Sequence, residues 1–248
     1  MKKKILTLAG CALAIASFNA CMNDDSDNGY VYYSYFTITG EGDNYVLYGD
    51  EDSLTVYPTP ESVASITSGK GFGSNRRAEL YMVYQPENVS VENGREVLRG
   101  AVLKGGSYIR TISLLTPAEA QAENVCVADS IFPIVRLERI WGCNGFLNTI
   151  VTGDYSANNN GGIRPTVNLV VTCDEGAENA ATLRLLYNRH SAKDCYTMGR
   201  TQFMTSYDAA LLQEVPGTDS ISLTVYADTI YAGKLKLSRN SLVKPAGL

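Results

Sequence analysis

Short runs of aromatic and β-branched residues, each closed by a turn-forming cluster, recur along almost the whole chain. Such runs suit pleated, half-buried surfaces and leave little room for long helices. The clearest is Ala78–Tyr84, in which Leu80, Met82 and Tyr84 alternate with Glu79, Tyr81 and Val83. A period of two puts these two sets on opposite faces of one half-buried strand. Further strands are expected at Val31–Thr39, Tyr45–Tyr48 and Ser53–Tyr57, the last ended by Pro58 and Pro60. Glu61–Ile66 reads as a helical turn and Ser68–Asn75 as a Gly- and Ser-rich loop. Strands at Glu96–Leu103 and Tyr108–Leu115 follow, split by Gly105-Gly106. So many short strands in so few residues suit a small closed barrel.

Thr116-Pro117-Ala118-Glu119 is a helix start, with Thr116 as cap, Pro117 at the first helical position and Glu119 placed to return the capping bond. The helix is short and polar, lies between two β-rich regions, and reads as a linker. Beyond it, strands are expected at Ser130–Val135, Phe146–Val151, Thr166–Thr172, Ala181–Tyr187, Thr201–Thr205, Ile221–Ala227 and Tyr231–Leu237. That is the pattern of an antiparallel sandwich. The expected division is residues 31–115 for the barrel, 116–125 for the linker helix and 126–248 for the sandwich.

The N-terminus is of a different kind. Lys2-Lys3-Lys4, an apolar run from Ile5 to Phe18 and the small residue before Cys21 describe a secretory signal peptide over residues 1–20. The run is shorter than the roughly 20 apolar residues a membrane span needs. Cleavage before a cysteine looks like a bacterial lipoprotein signal, with the Cys21 sulfur carrying a diacylglycerol that anchors the chain without spanning the membrane. Residues 21–30 then read as an acidic, flexible tether.

The chain carries 21 Lys and Arg against 26 Asp and Glu. Without Lys2, Lys3 and Lys4 the balance is 18 to 26, a net charge of −8. An acidic secreted chain is a poor nucleic-acid partner, because phosphate contacts need clustered cations. Arg76-Arg77 and the stretch from Arg184 to Lys193 read as ordinary surface charge. With Cys11 in the signal and Cys21 lipidated, Cys126, Cys143, Cys173 and Cys195 remain. They are either bridged, as an oxidising compartment permits, or buried as small hydrophobes. Their spacing contains no C-x-x-C, which argues against zinc.

Residues that carry chemistry are few. His190 is the single histidine, and in its polar surroundings it reads as a surface residue, with Asp194 four positions on. Asp50 and Asp52 resemble a carboxylate pair but fall in a turn where solvated charge is expected. Trp141 and Phe146 flank Gly142-Cys143-Asn144-Gly145 and could form an aromatic platform or belong to the core. Four Asp-Ser/Thr-apolar triplets, beginning at Asp52, Asp129, Asp219 and Asp228, resemble the O-glycosylation acceptor of the Bacteroidota and equally suit a turn-to-strand junction.

Several blocks resemble the NigD-like lipoproteins of the Bacteroidota. They are Asp50-Glu51-Asp52-Ser53-Leu54, then Arg77 to Tyr84, then Asp129-Ser130-Ile131 running on to Arg139-Ile140-Trp141-Gly142-Cys143-Asn144-Gly145-Phe146-Leu147-Asn148. Val167-Asn168-Leu169-Val170, Leu183 to Asp194 and Asp219 to Leu223 follow in the family's order, while Pro165-Thr166 stands where that family often has a histidine. The resemblance implies an all-β chain, with an OB-like N-terminal barrel followed by an immunoglobulin-like antiparallel sandwich. It implies a lipoprotein of the outer membrane, periplasmic or, as the Asp-rich tether favours, surface-exposed. It supplies no catalytic residue and no cofactor, and its name comes from a bacteriocin operon. The expected function is therefore non-enzymatic binding, of a bacteriocin-like polypeptide or of a surface glycan, or else an envelope scaffold role. OB-like barrels bind through strands two and three and nearby loops. The candidate face is thus Tyr45, Leu47, Tyr57 and Phe72, with Trp141 and Phe146 in the second domain.

Overall fold

The computed structural model describes residues 29–51, 53–125, 131–132, 134, 136–155, 165–173, 178–190 and 199–248. The signal peptide, Cys21, Asp52, Cys126, Asp129, Asp194 and Cys195 lie outside them. Two compact units emerge, one of the described residues up to Tyr108 with Ala246–Leu248, the other spanning Ile109–Pro245. The boundary thus falls before the expected 115–116.

In the first unit, β1 (Tyr30–Thr39), β2 (Val46–Gly49) and β3 (Thr55–Pro58) form an antiparallel meander. Helix α1 (Pro60–Ile66) leads to β4 (Arg77–Tyr84), and β5 (Val89–Glu92) turns back into the long β6 (Arg95–Tyr108). β4 pairs with β1 and β6, and β6 closes the ring through a parallel pairing with β3. A closed ring β1-β2-β3-β6-β4, with a helix between its third and fourth strands, is the OB-like barrel. The alternation read at Ala78–Tyr84 holds: Ala78, Leu80 and Met82 are buried with Phe36, Ile38, Leu47, Val56 and Leu98. Gly105-Gly106 does not split a strand as expected, because β6 runs through both. A Cβ on Gly106 would stand 2.4 Å from the Glu79 carbonyl oxygen, so glycine here permits close backbone approach within the ladder.

One expectation fails instructively. Asp50 and Arg77, read as solvated charge, form a bidentate ion pair at 2.6 Å whose side chains are both 0% exposed. Arg77 lies opposite Thr37 in the β1–β4 register and its Nη1 also donates to Thr37 Oγ1 at 2.8 Å. The Asp50 amide donates to the Tyr35 carbonyl, which fixes the carboxylate over the same strand.

The second unit holds β7 (Arg110–Ser113), α2 (Pro117–Ala122), β8 (Ile131–Phe132), β9 (Arg136–Cys143), β10 (Phe146–Tyr155), β11 (Thr166–Thr172) and β12 (Ala180–Asn188). It continues with β13 (Gly199–Asp208), α3 (Ala210–Gln213), β14 (Ser220–Ala227) and β15 (Ile230–Ser238). One sheet runs β7-β13-β10-β9, the other β11-β12-β14-β15 with β8 on β12. Leu147, Val151, Leu169, Leu183, Leu185, Tyr207, Leu223 and Val225 pack in the shared core. The sandwich is present but not purely antiparallel, since β12 pairs with β14, and β7 with β13, in parallel. A parallel pair needs a crossover, and β13 supplies it by passing through the opposite sheet between β12 and β14.

β7 belongs to this unit, which is why the boundary precedes it. The helix read as a linker is α2. Its capping box forms as expected, with Glu119 N donating to Thr116 Oγ1 at 3.2 Å and Thr116 N donating to the Glu119 carboxylate at 2.7 Å. Rather than bridging domains, it covers the outer side of β11 and β12, where Leu115, Ala120, Val170 and Leu186 cluster.

Removing one partner of a buried pair strands the other charge, at about 3–5 kcal/mol. Asp50→Ala is therefore expected to lower the urea-unfolding free energy of the barrel by about that amount. A double Asp50→Leu, Arg77→Met variant should recover most of it, and a double variant as unstable as the single one would contradict this account.

Candidate functional site

The residues singled out for the binding face do not form one. Tyr45 is 7% exposed, and Leu47 and Phe72 are fully interior. The phase of β2 turns Leu47 into the barrel, and Tyr45 accepts a hydrogen bond from the Phe72 amide at 3.1 Å while their rings meet edge to face. Tyr57 is half-buried under the Arg99 guanidinium, 4.4 Å above its ring. In the second unit, Phe146 is core and Trp141 is half-buried with Arg139 stacked 4.5 Å over it. The motif around them is a two-residue hairpin turn. Asn144 and Gly145 have φ of 52° and 84°, the left-handed pair that such a turn demands, and Cys143 faces Phe146 across it. The C-terminal segment holds the turn, since the Gly145 amide donates to the Ser241 carbonyl and a Cβ on Gly145 would strike Lys244.

The barrel instead opens a surface on the outer side of β1, β4 and β6, where register sets three rows. Val31, Val83 and Val102 form the first, Tyr33, Tyr81 and Gly105 the second, and Tyr35, Glu79 and Ser107 the third. Tyr33 is 59% exposed, Val31 and Val102 are open, and the rest are half-buried or exposed. The Tyr81 ring leans over Gly105, where a Cβ would sit 3.4 Å from its Cε1. The absent side chain leaves the ring room beside the bulge between Tyr81 and Met82. Glu79 is fixed at the margin, accepting from the Tyr33 hydroxyl and, at 3.3 Å, from Ser107. Burial and the Glu79 bond push the Tyr33 hydroxyl well above its ordinary range, so it stays a donor. The signal for this face was in the sequence, as the open half of the Ala78–Tyr84 alternation, but its partners on β1 and β6 depend on register.

Other candidates offer less. A pocket of about 50 Å³ lies among Ile66, Thr67, Phe72, Leu80, Gly106 and Tyr108, far below the roughly 300–1,000 Å³ of small-molecule sites. Cys143 and Cys173 are not bonded to each other; Cys143 ends β9 and Cys173 follows the end of β11, in different sheets. Among the described residues no group of three metal-ligating side chains converges, and no helix is long and apolar enough to cross a membrane. His190 is half-buried rather than on the surface. Its Nε2 lies 3.1 Å from Thr166 Oγ1, and its amide donates to Asn188.

The fold and face together define a class: an OB-like barrel followed by a β-sandwich, with a tyrosine-bearing face on the barrel sheet. No known protein family matches the chain by sequence, nor does any curated protein. Solved structures do match in fold. One is a protein described as toxin-related from Parabacteroides distasonis, with TM-score 0.55 and 16% identity, covering 85% of this chain and 95% of that one. Another is a NigD-like immunity protein from Bacteroides caccae, with TM-score 0.50 and 16% identity, covering 83% and 90%. A third is a protein described as a lipoprotein from Bacteroides fragilis, with TM-score 0.52 and 12% identity, covering 84% and 97%. The NigD-like resemblance seen in the sequence thus meets a NigD-like protein in fold.

Burial, and then the Arg110 charge, depress the His190 pKa below its ordinary 6.5. The folded state therefore resists protonation more than the unfolded chain does. Stability should hold above pH 6.5, fall as pH drops below it, and level off under the folded pKa. In a His190→Gln variant, denaturant midpoints across this range should lose that step, and an unchanged step would refute the assignment to the single histidine.

Proposed function

We propose that this chain is a membrane-anchored envelope protein that works by binding a polypeptide on the outer β1–β4–β6 face of its barrel, without catalysis. The observation that carries the reading is the register that gathers Val31, Val83 and Val102 beside Tyr33 and Tyr81. Tyrosine is favoured at protein interfaces, where a large rigid ring buries area at low entropic cost. A polar margin at Glu79 and Ser107 suits the rim of such a patch. The face is an open sheet surface on the outer side of β1, β4 and β6, which suits a ligand that lies across it. A glycan would stack on the same two tyrosines, but a row of three aliphatic side chains suits polypeptide better than sugar hydroxyls.

Anchoring rests on the Cys21 signal and on the lipoprotein name of one structural neighbour, and placement at the outer membrane, facing outward, rests on the acidic stretch after Cys21. The immunity name of another neighbour supports a finer reading, in which the captured polypeptide is bacteriocin-like.

Two experiments test this. A Cys21→Ala protein should leave the membrane fraction, and continued membrane association would end the anchoring account. A photoreactive residue at Val83 in living cells should trap a discrete polypeptide, whereas one at Val91, which is 67% exposed on β5, should not. Tyr81→Ala should weaken that adduct at least tenfold, about 1.4 kcal/mol, in keeping with an interface tyrosine. Adducts with glycan alone, or adducts indifferent to Tyr81, would reject the polypeptide reading.

A further inference from the structure

The sandwich carries a second surface, independent of the barrel face. On the outer side of the β11-β12-β14-β15 sheet, register places Tyr226 beside Tyr231, Thr224 beside Lys234 and Ser222 beside Lys236. The parallel neighbour β12 adds Arg184, Thr182 and Ala180. The alternate positions Leu223, Val225 and Leu237 are buried, which sends this set outward. The β14–β15 hairpin ends in the turn Asp228-Thr229, with Asp228 at φ 55°. Immediately after it, Ile230 is 66% and Tyr231 56% exposed, and the Tyr226 and Tyr231 rings pack edge to face 6.0 Å apart.

Charge at this tip is one-sided. The carboxylate of Asp228 is neutralised by Arg184, which donates to it at 2.8 Å and to the Asp228 carbonyl at 3.0 Å. Lys234 and Lys236 make no ion pair among the described residues. In a chain of net charge −5 these two cations stand, with no ion pair among the described residues, directly behind an exposed apolar and aromatic tip. The sequence hid the cluster, because Leu235 separates the lysines and only the strand's period of two puts them on one face.

We propose that the β14–β15 hairpin docks on an anionic lipid bilayer. Ile230, Tyr226 and Tyr231 enter the boundary between headgroups and acyl chains, and Lys234 and Lys236 meet lipid phosphates. Tyrosine rings favour that boundary, and basic residues near an anionic surface add attraction that salt weakens. At about 3.3 Å per residue Lys234 stands roughly 13 Å behind Ile230, and a lysine extended back along the strand reaches the headgroup layer. Lysines on an edge strand also discourage strand addition, but that role gives no purpose to an exposed Ile230 and Tyr231.

The test uses the unlipidated chain from Met22 to Leu248, which keeps every described residue, and sediments it with vesicles. Phosphatidylcholine vesicles with about one quarter phosphatidylglycerol should bring it down, pure phosphatidylcholine should do so far less, and added salt should release it. Lys234→Glu with Lys236→Glu, and separately Ile230→Asp, should each cut binding at least about tenfold while leaving the unfolding midpoint unchanged. Equal binding to both vesicle types, or binding indifferent to both variants, overturns the proposal. Capture of a soluble acidic polysaccharide but not of vesicles, with the same lysine dependence, overturns it in favour of a glycan. A glycan on Thr229, seen as added mass on the native protein, would hold the tip off the bilayer and likewise overturn it. None of these outcomes depends on the barrel face.

Discussion

The Arg77–Asp50 pair governs what the barrel can present. It lies on the outer side of β1 and β4 but is sealed from water, so its charges are viable only while each satisfies the other. Followed along the same two strands, the outward pairs run Thr37–Arg77, Tyr35–Glu79, Tyr33–Tyr81 and Val31–Val83. The column thus passes from a buried ionic end to an open aromatic and aliphatic end. Shifting the pairing by one residue would turn every one of these side chains to the other face. It would also strand Arg77 without its carboxylate. A pair that adds little net stability can therefore still specify register, and it is register that brings Tyr33 beside Tyr81.

The sandwich solves a similar problem with backbone geometry. Its signature stretch around Trp141 folds into a tight hairpin whose glycine is wedged against the C-terminal segment, with Phe146 buried and Trp141 half-buried beneath the Arg139 guanidinium. The parallel pairing of β12 with β14 follows from sending β13 through the opposite sheet. It also aligns Arg184 with Tyr226, which lets the guanidinium reach Asp228 at the hairpin tip. The topology thereby neutralises the single carboxylate of the turn, and the lysines behind it form no ion pair among the described residues.

Much of the architecture was legible before any coordinates: the barrel, the two-sheet second unit, the capping box at Thr116 and the alternation at Ala78–Tyr84. These depend on local periodicity and local hydrogen bonds. What escaped were properties of pairing. Asp50 looks solvated because Gly49, Glu51, Asp52 and Ser53 beside it are polar or glycine, and nothing nearby in sequence announces Arg77. Tyr45 and Phe72 looked like a face because the phase of a short strand and the path of a glycine-rich loop are weakly specified by composition. Helix α2 read as a linker because it is short and buries only Ala120 of its own residues. The apolar surface it covers, Val170 and Leu186, lies far along the chain.

The two surfaces differ in chemistry in a way that suits a tethered protein. A lipid on Cys21 would supply the affinity for the membrane, since more than one acyl chain already makes release slow. A hairpin contact would then be intramolecular, at the high effective concentration a short polar segment imposes. Under that condition a weak, salt-sensitive contact is enough to bias orientation without adding to anchoring. The barrel face faces the opposite demand. A partner arriving from solution would bring no tether, so its binding would have to be carried by buried area and ring contacts, and it is there that the chain places tyrosine and valine rather than lysine.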